Sequence, residues 1–218
     1  MFVFIQRAAK IDTDGIHPVL FYLIGVTAWN YFAECLTKTS TTFKDNAFIF
    51  GKVYFPRLIL PLSIVVSNLI RFFIQLLLFV IITVLFIALG KTKINIQITV
   101  LFFPLLVLIM AGLGLGAGLI ITSMTTKYRD LALLVQFGVQ LLMYTTLVIP
   151  LSATSGILRK VLEMNPMIPI IDLLRQSLFN TNTPNFALLA YSFTAMVILL
   201  IFGIYIFSKT EKTFTDTV

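Results

Sequence analysis

Polar side chains recur at helical spacing inside one of the most apolar stretches of this sequence. Asn68, Arg71 and Gln75 lie three and four residues apart, so a helix places all three on one face. An arginine inside a hydrocarbon layer is costly unless it meets a partner, water or lipid headgroups. The stripe therefore either lines a path for an anionic or polyhydroxylated substrate, or carries an arginine that reaches for the headgroups from the cytoplasmic end of a long helix. These residues favour neither interpretation over the other.

Catalytic chemistry has no matching set of residues in the chain. A single histidine, His17, and a single cysteine, Cys35, provide neither a metal-ligand pattern nor an internal disulfide. The sequence has no HExxH motif and no GxxxxGK[ST] phosphate loop. Acidic residues fall outside the predicted spans, with only Glu34 near a span end, which argues against a proton or sodium carrier. We expect no enzyme, and no metal or cofactor bound by this chain.

The composition requires a membrane. Of 218 residues, 59% are hydrophobic and only 11% are charged, and the mean hydropathy is +1.01. A soluble domain needs a larger polar surface. The formal charge of +7 comes from basic residues in short gaps between apolar runs, as in the loops of membrane proteins, so we expect no nucleic-acid partner.

Windows of about 20 apolar residues predict an all-α, polytopic fold with five complete spans in a single domain, residues 1–218. The predicted spans run from Pro18 to Cys35, Leu58 to Leu89, Ile98 to Met124, Leu131 to Leu151 and Phe186 to Phe207. The first of them is the least hydrophobic.

Four glycines mark the third predicted span. Gly112 and Gly116 are four residues apart, as are Gly114 and Gly118, so each pair lies on one helix face and admits a neighbouring backbone. Tight helix packing is favoured over a moving hinge.

The segment from Ser152 to Pro184 is neither a span nor a simple loop. Its amphipathic stretches are separated by Asn165, Pro166 and Pro169, and we expect the prolines to break any helix there. Two short helices that lie in the interface or dip into the membrane fit this pattern best.

The loop from Lys38 to Arg57 contains a sequence pattern that a simple linker between two spans would not need. Its Ser-Thr-Thr run, residues 40–42, predicts the cap of a short helix with Phe43 on its apolar side, suited to docking on another protein.

The numbers of Lys and Arg residues on the two sides of the membrane predict the orientation. They are eight against seven, or eight against four without the amphipathic segment. The second count places the loop from Lys38 to Arg57 and the C-terminus in the cytoplasm.

Three motifs in order resemble a known family. They are KVYFPRLILPL from Lys52 to Leu62, KYRDL from Lys127 to Leu131, and NPM from Asn165 to Met167. Together they resemble the permease subunits of ABC-2 type exporters, above all those of polysaccharide, O-antigen and teichoic-acid export. The resemblance implies a permease dimer in the bacterial cytoplasmic membrane. It also implies a separate ATP-binding subunit that holds ATP and Mg²⁺, and a lipid-linked glycan as cargo.

The resemblance also implies roles for individual residues. The element that couples to the ATPase would comprise Asn46, Phe50, Lys52, Tyr54, Phe55, Pro56 and Arg57. A second cytoplasmic turn would comprise Lys127, Tyr128, Arg129 and Asp130. Asn165 and Pro166 would belong to short external helices that close the outer end of the path.

Aromatic side chains suit a sugar polymer because flat rings stack on pyranose faces. Phe137, Tyr144 and Tyr22 are candidates, although packing is the commoner role for such residues. The family normally begins with a cytoplasmic amphipathic helix and a complete first span. Here only FVFI, residues 2–5, matches the end of that span.

Two other functions stay open. An ABC-2 exporter of a small lipid or drug would transport without changing any surface glycan. A membrane-embedded glycan or lipid enzyme would need an acidic or His/Ser site in the apolar region.

Overall fold

A computed structural model gives the fold and describes residues 16–46, 58–90, 97–125, 128, 130–148, 154, 156–179 and 185–215. The helices are α1 (Pro18–Thr39), α2 (Thr42–Asp45), α3 (Ile59–Ala88), α4 (Phe103–Thr125), α5 (Leu131–Val148), α6 (Gly156–Glu163), α7 (Met167–Phe179) and α8 (Phe186–Thr215), with a 3-10 turn at Ile98–Phe102 before α4. These described residues contain no strand, which confirms the all-helical, polytopic prediction.

Four helices are long and apolar enough to cross a membrane. They are Pro18–Thr39, Ile59–Ala88, Ile98–Thr125 with its 3-10 turn, and Phe186–Thr210 within α8. A fifth apolar helix, Leu131–Leu147, is shorter. The predicted end of that span at Leu151 and the FVFI remnant lie outside the described residues.

Helix α1 is the centre of the bundle. It begins at Pro18, where a missing N–H costs nothing, and the Nδ1 atom of His17 accepts a hydrogen bond from the Val19 N–H at 3.4 Å. It packs against α3, α4, α5 and α7. The first span is the least hydrophobic because its surface faces protein on most sides rather than lipid. The span predicted from Pro18 to about Cys35 is present, and its helix continues four residues further, to Thr39.

Helix α4 is held between α1 and α8 by its four glycines. A Cβ atom at Gly114 would lie 2.7 Å from the Cys35 Cβ atom of α1, and one at Gly118 would lie 2.5 Å from the Thr39 Cβ atom. On the other side, a Cβ atom at Gly116 would lie 2.7 Å from the Leu199 carbonyl carbon of α8. Each glycine pair therefore admits a different neighbour, with Gly112 and Gly116 against α8.

One end of the bundle is tied together around α2. The Phe43 ring stacks on Phe207 of α8 with centroids 4.6 Å apart, and the Thr125 hydroxyl donates to the Ser40 carbonyl at 2.7 Å. The predicted short helix is present, but its predicted cap is not. The Thr41 hydroxyl donates to the Asp45 carboxylate at 2.6 Å instead of accepting from a backbone N–H. The rest of this loop, from residue 47 to 57, lies outside the described residues.

Helices α6 and α7 meet at a corner at the opposite end of α1. Most of α7 is buried, and it contacts α1, α4, α5 and α8. The predicted break at Asn165 and Pro166 is present, since both residues lie between the helices. The predicted break at Pro169 was wrong, because Pro169 falls in the first turn of α7, where a helix does not need its N–H.

The close approach of α4 to α8 predicts a specific cost of adding a methyl group. Gly116→Ala would push the new Cβ atom into the α8 backbone, which cannot move aside like a side chain, and should lower the unfolding free energy by roughly 1–3 kcal/mol. Thermal unfolding of the purified protein in detergent measures this.

Gly138→Ala is the matched control. A Cβ atom at Gly138 in α5 meets nothing within 4 Å, so the variant should be neutral or slightly more stable. Equal melting temperatures for both variants would contradict the close packing of α4 on α8.

Candidate functional site

The stripe on α3 meets a second polar stripe on α1. The Asn30 amide nitrogen donates to the Gln75 carbonyl oxygen at 3.5 Å, and Arg71 Nη1 donates to Glu34 Oε2 at 3.0 Å. Lys38 Nζ donates to the Asn68 carbonyl oxygen at 3.0 Å. We call this set the polar seam, comprising Asn30, Glu34 and Lys38 of α1 with Asn68, Arg71 and Gln75 of α3.

The sequence signal for the α1 half of the seam was available but was missed. Asn30, Glu34 and Lys38 are each four residues apart, so a helix places them on one face. Because the predicted span ended at Cys35, Glu34 was assigned to a span end and Lys38 to a loop. The structure keeps both on α1 and gives Arg71 a carboxylate partner.

Electrostatically, the polar seam has two cations and one carboxylate. Lys38 Nζ also lies 3.1 Å from Glu34 Oε2, the same oxygen that Arg71 contacts. The Arg71 side chain is 61% exposed and that of Lys38 is 40% exposed. A single carboxylate is therefore shared by two cations that are both accessible from outside the bundle.

A small half-open cleft of about 10 Å³, with room for about one water molecule, lies at the polar seam. Its lining adds two aromatic rings, Tyr31 and Phe72, to the seam residues Asn30, Glu34, Asn68, Arg71 and Gln75. The Tyr31 and Phe72 rings pack with centroids 5.1 Å apart. The cleft therefore places two aromatic rings beside a charged edge that is open to the outside of the bundle.

A second polar site is the corner at Asn165. Its amide nitrogen donates to the Thr146 hydroxyl of α5 at 2.9 Å, and its side-chain oxygen accepts from the Met167 N–H at 3.0 Å. From α8, the Ser192 hydroxyl donates to the Pro166 carbonyl at 2.8 Å. The corner is thus joined to both neighbouring helices as well as to α7.

Arg175 is a buried charge that the sequence did not single out. It is 3% exposed on α7, and its guanidinium carbon lies 3.6 Å from the centroid of the Phe21 ring of α1. Gly25 makes room for it, since a Cβ atom there would lie 2.8 Å from Arg175 Nη2. This stacked cation joins α7 to the N-terminal half of α1.

The other predicted site residues do not gather at the polar seam. Phe137 is 67% exposed on α5, and Tyr144 is partly buried on the same helix. The Asp130 carbonyl accepts the Leu133 N–H at 3.1 Å at the start of α5, and the Tyr128 side chain is exposed. Their roles in a transport path or a cytoplasmic turn stay predictions.

Most of the predicted coupling element lies outside the described residues. Asn46 follows α2, and its amide nitrogen donates to the Thr42 carbonyl at 3.0 Å. Phe50, Lys52, Tyr54, Phe55, Pro56 and Arg57 lie outside the described residues, as do Lys127 and Arg129. Within the described part of the chain, no three potential metal-ligand side chains come together.

A comparison with known families identifies the family of this fold. The profile of the ABC-2 type transporter family matches residues 1–179. This chain therefore belongs to the ABC-2 type transporter family, as a multi-pass membrane permease.

Individual relatives carry a narrower name. An O-antigen export system permease protein RfbA from Klebsiella pneumoniae is 28% identical over 201 residues, covering 90% of this chain and 74% of the relative. The protein of the same name from Myxococcus xanthus is 26% identical over 222 residues, covering 100% of this chain and 83% of the relative.

The sharing of Glu34 predicts an asymmetry between two charge-removing variants. Glu34→Gln leaves Lys38 and Arg71 close together without a counter-charge, so we expect a loss of roughly 1–3 kcal/mol of unfolding free energy. Arg71→Gln leaves the Glu34 and Lys38 pair intact, so we expect a loss of less than about 1 kcal/mol. Thermal unfolding in detergent compares the two. The prediction fails if the arginine variant is the less stable one.

The corner at Asn165 predicts local loosening of α7. Asn165→Ala removes both the bond to α5 and the side-chain acceptor for the Met167 N–H, a change of about 1 kcal/mol. We expect faster amide hydrogen exchange in residues 167–179 and little change in α3. Thr146→Val removes only the α5 bond and should give a smaller effect, whereas unchanged exchange in both variants would show that the corner does not restrain α7.

Proposed function

We propose that this chain is the membrane-spanning subunit of an ATP-driven exporter that moves a lipid-linked polysaccharide across the bacterial cytoplasmic membrane. The cargo is supported by the relatives, which are named O-antigen export system permease proteins and align over 90–100% of this chain. Family membership implies an ABC ATP-binding partner, which would bind ATP and Mg²⁺ in place of this chain.

The contacts around α2 suggest how movement of the partner would reach the spans. Phe43 is 1% exposed and packs against Leu119 of α4 and Phe207 of α8. Its backbone N–H also donates to the Thr122 hydroxyl at 3.4 Å. A displacement applied beside α2 would therefore act on α4 and α8 directly, without passing through a lipid-filled gap.

The proposed coupling element, from Asn46 to Arg57, connects α2 to α3. The polar seam fastens the first half of α3 to the last half of α1 through Glu34 and Arg71. In the proposed mechanism, α1, α2, the coupling element and α3 move together when the ATP-binding subunits close.

The orientation follows from charge and from the position of the corner. With α2, the coupling element and the C-terminus in the cytoplasm, the α6 and α7 corner faces the outer side. Asn165 and Pro166 would then act at the external gate, and release of the bonds to Thr146 and Ser192 would open it.

A dimer is part of the proposal because the described helices of one copy leave Phe137 on the outside of the bundle. Phe137 points away from the bundle and is 67% exposed, so it would line a path for sugars only if a second copy faces α5. The same condition holds for the partly buried Tyr144.

The first experiment is a mild-detergent pull-down of the tagged chain from its native host. We expect an ATP-binding subunit to co-purify and its ATPase activity to depend on the permease. Reconstituted into vesicles, the complex should move a lipid-linked glycan to the far side of the membrane only with hydrolysable ATP.

The outcomes separate the candidate functions. ATP-dependent transport of a small lipid or drug without glycan transport would replace the cargo but keep the exporter. Glycan or lipid turnover that persists without any ATPase would indicate an enzyme and would refute the proposal.

Arg57 tests the coupling element. Arg57→Glu reverses a charge at its C-terminal end and should reduce permease-stimulated ATP hydrolysis and export together, by about tenfold or more. Arg57→Lys keeps the charge and should retain most of both activities. If stimulation and export are unchanged in Arg57→Glu, the proposed docking at this loop is wrong.

A further inference from the structure

The polar seam carries one positive charge more than it can neutralise. The helical residues of α1 and α3 include only three charged side chains, Glu34, Lys38 and Arg71. Both cations contact the same oxygen, Glu34 Oε2, at 3.0 and 3.1 Å. A single carboxylate leaves a net charge of +1 on this pair of helices.

The Arg71 guanidinium has more hydrogen-bond donors than its contact with Glu34 uses. Among the described residues, Arg71 donates a hydrogen bond only through Nη1, to Glu34. Its Nε and Nη2 atoms therefore stay available on a side chain that is 61% exposed. A guanidinium fork with free donors is well matched to the oxygens of a phosphate.

The surroundings of Arg71 are apolar and face outward. Ile70, Phe73 and Ile74, its neighbours on α3, are all more than half exposed. In a membrane this surface meets acyl chains, so an incompletely neutralised arginine there is costly unless an anion reaches it. The surface beside the cation is thus suited to the chains of a lipid whose headgroup carries that anion.

The polar seam lies a short distance inside the end of the bundle at Ser40, within reach of a lipid headgroup that sits slightly below the membrane surface. Glu34 lies six residues before Ser40, where α1 has ended, a rise of roughly 9 Å. Arg71 is level with Glu34 and can extend toward the same end of the helix. The cleft lies at this level and has room for about one water molecule, so a phosphate would contact Arg71 on its exposed side, at the mouth of the cleft.

We propose that the polar seam binds the phosphate of an anionic membrane lipid that approaches along the exposed face of α3. Arg71 supplies the main contact and Lys38 the second positive charge. Gln75 adds an amide nitrogen that has no hydrogen bond among the described residues. The acyl chains of the lipid lie against Ile70 and Ile74.

The charge and exposure of Arg71 and its apolar neighbours support this site whatever the identity of the exported cargo. A bound lipid would strengthen the contact between α1 and α3 on either side of the coupling element. Export through this permease would then require anionic lipid in the leaflet that contains the seam.

The test uses the purified protein, with its ATP-binding subunit if the two co-purify. Melting temperature is measured in neutral detergent with phosphatidylglycerol or with phosphatidylcholine at equal mole fraction, and native mass spectrometry counts the retained lipid. We expect phosphatidylglycerol to raise the melting temperature more than phosphatidylcholine. Arg71→Gln should weaken retention of phosphatidylglycerol by about tenfold.

Arg159→Gln is the matched control because it removes the same charge elsewhere. Arg159 is 48% exposed and pairs with Glu163 on α6 at 2.9 Å, an arrangement similar to that of Arg71 and Glu34. Its loss should leave the lipid effect unchanged. If both variants lose the effect, the attraction is general electrostatics, and if neither does, the seam is not the site; either result overturns the proposal.

Two further measurements identify the source of the phosphate and guard against misfolding. Inorganic phosphate should give little stabilisation, and an effect equal to that of phosphatidylglycerol would overturn the assignment to a lipid. Gln75→Leu changes no charge and should also weaken retention. Should Arg71→Gln fail to fold, full retention of phosphatidylglycerol by Gln75→Leu and by Lys38→Gln would refute the site.

Discussion

The close approach of α4 to two helices at once is the constraint on which the other contacts depend. In lipid there is little hydrophobic force between helices, so backbone proximity and polar contacts hold them together. Glycines on two faces of α4 admit α1 and α8, and this sets the position of α1 in the centre. A central α1 then presents Glu34 to α3 and Phe21 to α7.

The two ends of α1 differ in how they are joined to the rest of the protein. Near Ser40 the connections are direct and partly rigid, with a stacked pair of rings and hydroxyl bonds between α1, α2, α4 and α8. Near Pro18, α1 packs against α7, a short helix that lies between the apolar helices α5 and α8 in the chain. The proposed exporter would receive its input at the first end and would have its proposed external gate at the second.

Sequence reasoning predicted the class of fold, the corner at Asn165 and Pro166, and the helical spacing of the α3 stripe. It did not predict the partner of Arg71, because hydropathy decreases near Glu34 and a window then ends the span, whereas backbone hydrogen bonds continue the helix to Thr39. Arg175 was missed for a related reason. Its burial depends on Gly25 and Phe21, which lie about 150 residues earlier and carry no local signal.

The antiparallel pairing along the polar seam also restricts how the transporter can move. Asn30, Glu34 and Lys38 meet Gln75, Arg71 and Asn68 in reverse order, one turn of helix apart. Sliding α1 by one turn past α3 would set Glu34 opposite an amide and separate it from Arg71. These two helices thus have a single register, and a ratchet between them is disfavoured. In the proposed transport cycle we therefore expect rearrangement at other helix contacts, while α1 and α3 keep their register.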